Sequence, residues 1–140
     1  MSRILCATRG GDTSFATQDK AIQLAQERDA ELIFLYVVDT RFIDKTSAPI
    51  VVDVEGEISK LGEFLLVMAK ERAKEQGLEA RSLVREGKVR EELFKAVEEE
   101  EINLIVLGKP AGDSSVFELS GLEKYAREIE QKTRVETVIV

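Results

Sequence analysis

The sequence contains no histidine and no tryptophan, a single cysteine and two prolines. Without histidine there can be no Ser-His-Asp triad or Cys-His dyad, no His-Glu-x-x-His zinc site and no imidazole general base. With Cys6 alone, an internal disulfide and a thiolate metal cluster are both excluded. Cys6 itself falls inside an apolar run and reads as a small buried hydrophobe. No apolar run approaches the roughly 20 residues needed to cross a bilayer, so membrane insertion is not expected. The opening MSRILCA has one charge and a short apolar run, unlike the longer stretch of a signal peptide. Positive charge is scarce too: 20 Lys and Arg face 27 Asp and Glu, for a net charge of -7. Such a chain repels phosphate backbones, so nucleic acid is not an expected partner. The expected compartment is the cytoplasm.

What is present is a balanced globular composition. The 140 residues are 44% hydrophobic and 34% charged, enough for one domain over 1–140 with a sizeable core. Arg3 to Ala7 is a short apolar run that stops at Gly10-Gly11 and reads as a strand. Asp12, Thr13 and Ser14 offer helix caps, and Ala21, Ile22, Leu24 and Ala25 share one helical face. In ELIFLYVVD, Glu31 to Asp39, the apolar run between acids suits a strand covered on both faces. Arg41 to Gly56 is irregular, contains Pro49 and reads as a long loop. Ile58, Leu61, Leu65, Met68 and Ala69 then form a helical stripe that Gly77 ends. Glu79 to Gly87 is a shorter, more polar strand near an edge. A helix from about Lys88 to Glu101 carries Val89, Leu93, Ala96 and Val97 on one face. Ile102 to Gly108 is a fourth strand. Leu122, Tyr125, Ala126 and Ile129 define a last helix, and Val135 to Val140 a last strand.

Strands and helices therefore alternate, which implies an α/β fold: a five-stranded parallel sheet with helices on both faces. Ligands in such folds sit beyond the C-terminal strand ends, where the strand order reverses. Two glycine-rich loops stand there, Thr8-Arg9-Gly10-Gly11-Asp12 and Gly108-Lys109-Pro110-Ala111-Gly112. If both line one crevice, strands one and four are neighbours and the order is 3-2-1-4-5. The pattern alone leaves the order 2-1-3-4-5 open. A phosphorelay receiver needs acids after strand one and at the end of strand three, where this chain has Arg9-Gly10-Gly11 and Leu83-Val84-Arg85. A His-x-Gly-His nucleotidyl transferase is excluded by composition, and no GxxxxGK[ST] loop occurs.

RILCATRGGDTSFATQDKAIQLAQERDAELIFLYVVD resembles the opening of the universal stress protein family. REGKVREELFKAVEEEEINLIVLG resembles its third strand, third helix and fourth strand, and VETVIV stands where the family has its last strand. The resemblance implies a Rossmann-like 3-2-1-4-5 sheet. It also implies a homodimer through the C-terminal strand, with Val135, Thr137, Val138, Ile139 and Val140 at the interface. An edge strand of Val, Ile and Thr without proline or lysine invites such pairing. The alternative is an edge covered by the last helix or the Arg41–Gly56 loop. Other protein partners are unspecified, although similar domains occur fused to transporters, which leaves a transporter's regulatory partner as a further reading.

ATP-binding members of the family resemble one another in a pattern of Gly, two residues, Gly, nine residues, Gly, then Ser or Thr. Glycines there let backbone N–H groups approach phosphate oxygens. Gly108 and Gly121 match the outer glycines. The middle position is Ala111, with Gly112 one residue later. Leu122 replaces the hydroxyl residue, Ser120 precedes Gly121, and Pro110 lacks an N–H. Arg9 stands where nucleotide-binding relatives have an aspartate that holds the nucleoside, and Arg9 cannot accept a hydrogen bond. Val37 matches a position that contacts adenine through its backbone. Ala7 and Leu107, at the ends of strands one and four, complete the candidate crevice. The expectation is a retained loop with weak or lost ATP binding, no cofactor and no catalytic residue. A site for ATP or another nucleotide, or for a different anion held by Arg9, is the alternative. The function implied is that of a non-enzymatic, dimeric stress or regulatory protein, or else a nucleotide-binding switch.

Overall fold

The structure, a computed structural model, describes residues 2–8, 12–39, 51–108 and 115–140. Within them the side chains of 12–14, 39, 51–59, 89–90 and 115–122 lie outside the description. The described chain runs β1 (Arg3–Ala7), α1 (Asp12–Arg28), β2 (Glu31–Asp39), α2 (Val51–Glu75), β3 (Ala80–Gly87), α3 (Val89–Glu99), β4 (Leu104–Leu107), α4 (Ser115–Thr133) and β5 (Glu136–Ile139). The strands form one sheet in the order β3-β2-β1-β4-β5. All four ladders are parallel. This decides between the two orders the pattern allowed. β1 lies at the centre, with Cys6 opposite Phe34 of β2 and Val106 of β4.

The central strands are apolar because both of their faces are covered. Alternate residues go to opposite sides. Ile4, Cys6, Leu32, Phe34, Leu104 and Val106 pack with Ala21, Ile22 and Ala25 of α1 and Leu66, Ala69 and Ala73 of α2. Leu5, Ile33, Leu35, Ile105 and Leu107 pack with Leu93, Ala96 and Val97 of α3 and Tyr125 and Ile129 of α4. Each helix returns to a strand through a residue with positive φ: Asp29, Gly77, Glu101 and Arg134. At the first three, the next residue's N–H reaches back five residues: Ala30 to Ala25, Leu78 to Ala73 and Ile102 to Val97. That bond closes a Schellman-type end.

Two expectations need correction. Helix α2 begins at Val51, so Val51 to Gly56 are helical; residues 41–50 lie outside the described residues. Of the expected stripe, Ala69 is buried and Leu65 half-buried, but Leu61 and Met68 do not lie on the inner face of α2, and the Ile58 side chain lies outside the described residues. Leu61 is 53% exposed and Phe64 62%, whereas Leu66, Ala69 and Ala73 are buried. Side-chain size explains the difference. A Cβ on Gly62 would stand 2.5 Å from the Tyr36 ring, so the helix sits close to the sheet along its small residues. Bulky Leu61 and Met68 cannot occupy that gap, and α2 keeps an apolar outer stripe that periodicity alone mistakes for the core.

Candidate nucleotide crevice

The C-terminal ends of β1 and β4 stand side by side, one residue beyond the Cys6–Val106 pair. Ala7 and Leu107 therefore flank the place where the strand order reverses, the usual ligand position of this architecture. Leu107 is buried and Ala7 half-buried, both against the α3–α4 side of the core. Val37 is half-buried two residues past the Ala7–Leu35 pair and lies opposite Arg85 of β3.

Helix α1 supplies polar groups that pattern reading did not single out. Thr17 and Gln18 are buried, and so is Thr8, the residue after β1. The Thr8 N–H donates to the Leu35 carbonyl at 2.9 Å, which extends the ladder by one residue. Gln18 Nε2 donates to Thr8 Oγ1 at 3.0 Å. Thr17 faces Gly108, where an added Cβ would lie 2.5 Å from Thr17 Oγ1 and 3.6 Å from Thr17 Cγ2. Glycine at 108 is therefore required by the close approach of α1 to the end of β4. The signal was present in the sequence. Thr17 and Gln18 precede Ala21, Ile22 and Ala25 at helical spacing, so two polar residues extend a core-facing stripe.

Arg9, Ala111 and Gly112 lie outside the described residues. Ser120, Gly121 and Leu122 belong to α4, which starts at Ser115. They fall past the first turn, and only the first four N–H groups of a helix lack an intrahelical partner. The apolar pattern marks the last helix only from Leu122; the helix starts earlier, at Ser115. Of the residues expected at the dimer interface, Val135 is buried with the α3–α4 side of the core. Thr137, Val138, Ile139 and Val140 are half-buried, with Val138 and Val140 against one core and Ile139 against the other.

Among the described residues, the charge of Arg85 at the end of β3 is already paired. Arg85, at the end of β3, donates from Nε to Glu92 Oε1 at 3.1 Å and from Nη1 to Glu99 Oε2 at 2.7 Å. The Arg85 hydrogen bond, with help from Lys95, holds the Glu92 carboxyl below its ordinary range against the opposing effect of burial. With two carboxylates on it, Arg85 has little charge left for an anion. Cys6 is buried in mid-sheet, where burial pushes its thiol up to about 12, so it is not a nucleophile in the folded protein. Two surface hollows, of about 410 and 440 Å³, lie elsewhere, between α2 and β3 and between α1 and α2. The second is bordered by Arg72, which bonds Asp19 at 2.6 Å and lies over the Phe15 ring at 4.4 Å. No helix among the described residues is long and apolar enough to cross a membrane.

A five-stranded parallel sheet in the order β3-β2-β1-β4-β5, whose strand order reverses between β1 and β4, defines a Rossmann-like α/β protein. The model of the universal stress protein family matches residues 1–135, and the chain belongs to that family. Universal stress protein YxiE of Bacillus subtilis is 30% identical over 115 residues, which is 76% of this chain and 78% of that protein. Among solved structures, universal stress protein UspA from Lactobacillus plantarum superposes with a TM-score of 0.77 at 19% identity, covering 99% of this chain and 97% of that one. A universal stress protein in complex with cAMP superposes with a TM-score of 0.69 at 20% identity, covering 99% and 96%.

Proposed function

We propose that this chain is a non-enzymatic, homodimeric regulatory protein of the universal stress type, acting in the cytoplasm, with little or no affinity for ATP. The observation that carries the nucleotide part is the contact between Thr17 and Gly108. Gly108 is one of two glycines that match the ATP-binding pattern, and packing against a buried threonine already accounts for it. What remains of the pattern departs where side chains matter, at Arg9, Ala111 and Leu122. The absence of histidine and the burial of Cys6 support a non-catalytic role. Strand β5, at the sheet edge and without proline or lysine, supports pairing between two copies.

The second reading, a nucleotide-binding switch, draws on the neighbour that holds cAMP. Thermal unfolding with ATP, ADP, AMP and cAMP, with and without magnesium, separates the two. A ligand at 100 times its Kd adds about 2.7 kcal/mol of stability. The expected result is no saturable shift at millimolar nucleotide. A saturable rise of several degrees would overturn the first reading in favour of the switch.

A further inference from the structure

Within β5 the backbone alternates between β4 and the open edge. The Val140 N–H donates to the Leu107 carbonyl at 2.9 Å, so Val140, and by alternation Val138, face β4. Thr137 and Ile139 therefore turn their N–H and carbonyl groups away from the sheet. One of these outward donors is taken within the chain: the Thr137 N–H donates to Glu130 Oε1 at 3.0 Å. Glu130 is exposed on α4, the helix that leads into β5.

This geometry limits how a second copy would add to the edge. An antiparallel pair bonds through its outward-facing residues, here Thr137 and Ile139; in the two-fold arrangement centred on Val138, Thr137 stands opposite Ile139 of the second copy. Its hydrogen bonds include one from each Thr137 N–H to the Ile139 carbonyl opposite. Neither can form while Glu130 holds that N–H. The carboxylate also places a negative charge at the edge of a chain that already carries -7, so the two copies bring like charges together. We infer that Glu130 is a latch on the outer edge of β5, which opposes pairing of two copies until its carboxylate releases Thr137. The inference rests on the proposed β5 homodimer and adds the residue that controls it.

Sedimentation equilibrium of the full chain tests this with Glu130→Ala, Glu130→Gln and Glu123→Ala, the last removing the same charge from the same helix. A hydrogen bond of this kind shifts an equilibrium roughly 3- to 10-fold, and a two-fold dimer opens two latches. Glu130→Ala should therefore dimerise roughly 10- to 100-fold more tightly than the parent chain. Glu130→Gln, still able to accept the bond, should fall between them, and Glu123→Ala should stay near the parent. Amide exchange at Ile139 identifies the interface without a substitution in the strand, because pairing should protect it as protein concentration rises. If Ile139 is protected but Glu130→Ala is no tighter than the parent, or no tighter than Glu123→Ala, the latch is wrong and the β5 dimer stands. If the chain associates without protecting Ile139, or neither parent nor Glu130→Ala associates, the β5 dimer is wrong and the latch falls with it. A monomeric parent with a Glu130→Ala variant that dimerises and protects Ile139 would support the latch and the β5 interface, and would overturn the proposal that the parent chain is itself a stable homodimer.

Discussion

Replacing Gly108 with alanine tests whether this glycine serves packing or a ligand. The new Cβ would stand 2.5 Å from Thr17 Oγ1 and 3.5 Å from Thr17 Cβ. Real Cβ contacts are not made at 2.5 Å, so a group must move. Thr17 is only 2% exposed and has no solvent to swing into, so helix α1 or the end of β4 has to shift. Overpacking of this kind costs about 1–3 kcal/mol. At 2 kcal/mol, Tm falls by about 4–8 °C for a chain near this size, and the urea midpoint by about 1 M. Both are measured without nucleotide. Thr17→Ala removes the obstructing hydroxyl and methyl, so in that background Gly108→Ala should be nearly neutral. The double-mutant cycle should then return a coupling of about 1–2 kcal/mol. An unchanged midpoint for Gly108→Ala, or a loss that Thr17→Ala does not relieve, would refute the packing account. If stability held while a nucleotide-induced shift disappeared, the glycine would belong to a ligand site instead.

Two further outcomes follow from the geometry. Leu66→Ala, on the buried face of α2, should cost about 2–5 kcal/mol in urea unfolding, whereas Phe64→Ser, on the exposed stripe, should stay within about 0.5 kcal/mol; equal losses would mean the faces are misassigned. Glu92 has a folded pKa below its ordinary 4.5, so the unfolded chain binds more protons and stability falls as pH drops below about 4.5 through the folded value. Arg85→Met should lose stability near neutral pH and flatten this acid limb. A limb of unchanged steepness would show that Arg85 does not hold Glu92 ionised.

Much of the fold was legible in the sequence because burial on two faces leaves a local mark. ELIFLYVVD is apolar throughout since both sides of β2 are covered, and Leu93, Ala96 and Val97 repeat at helical spacing since one side of α3 is. The crevice was half legible. Gly108 and Gly121 could be counted, but the reason for Gly108 is a threonine 91 positions earlier in the chain, and no local pattern reports that meeting. Thr17 and Gln18 gave a signal, as polar residues on an apolar stripe, without saying what they would touch.

By itself the sequence determined the alternation of strands and helices, the exclusion of histidine and thiolate-cluster chemistry, and the acidic balance, because these depend on residue type and short-range spacing. The tertiary structure decided the strand order, the inner face of α2 and the hold of Glu130 on Thr137. Each depends on how closely distant segments approach. Helix α2 offers two apolar stripes of similar period, and only the small gap above Tyr36 selects the one bearing Gly62, Leu66, Ala69 and Ala73. The outward donors of β5 likewise exist only once β4 has taken the others.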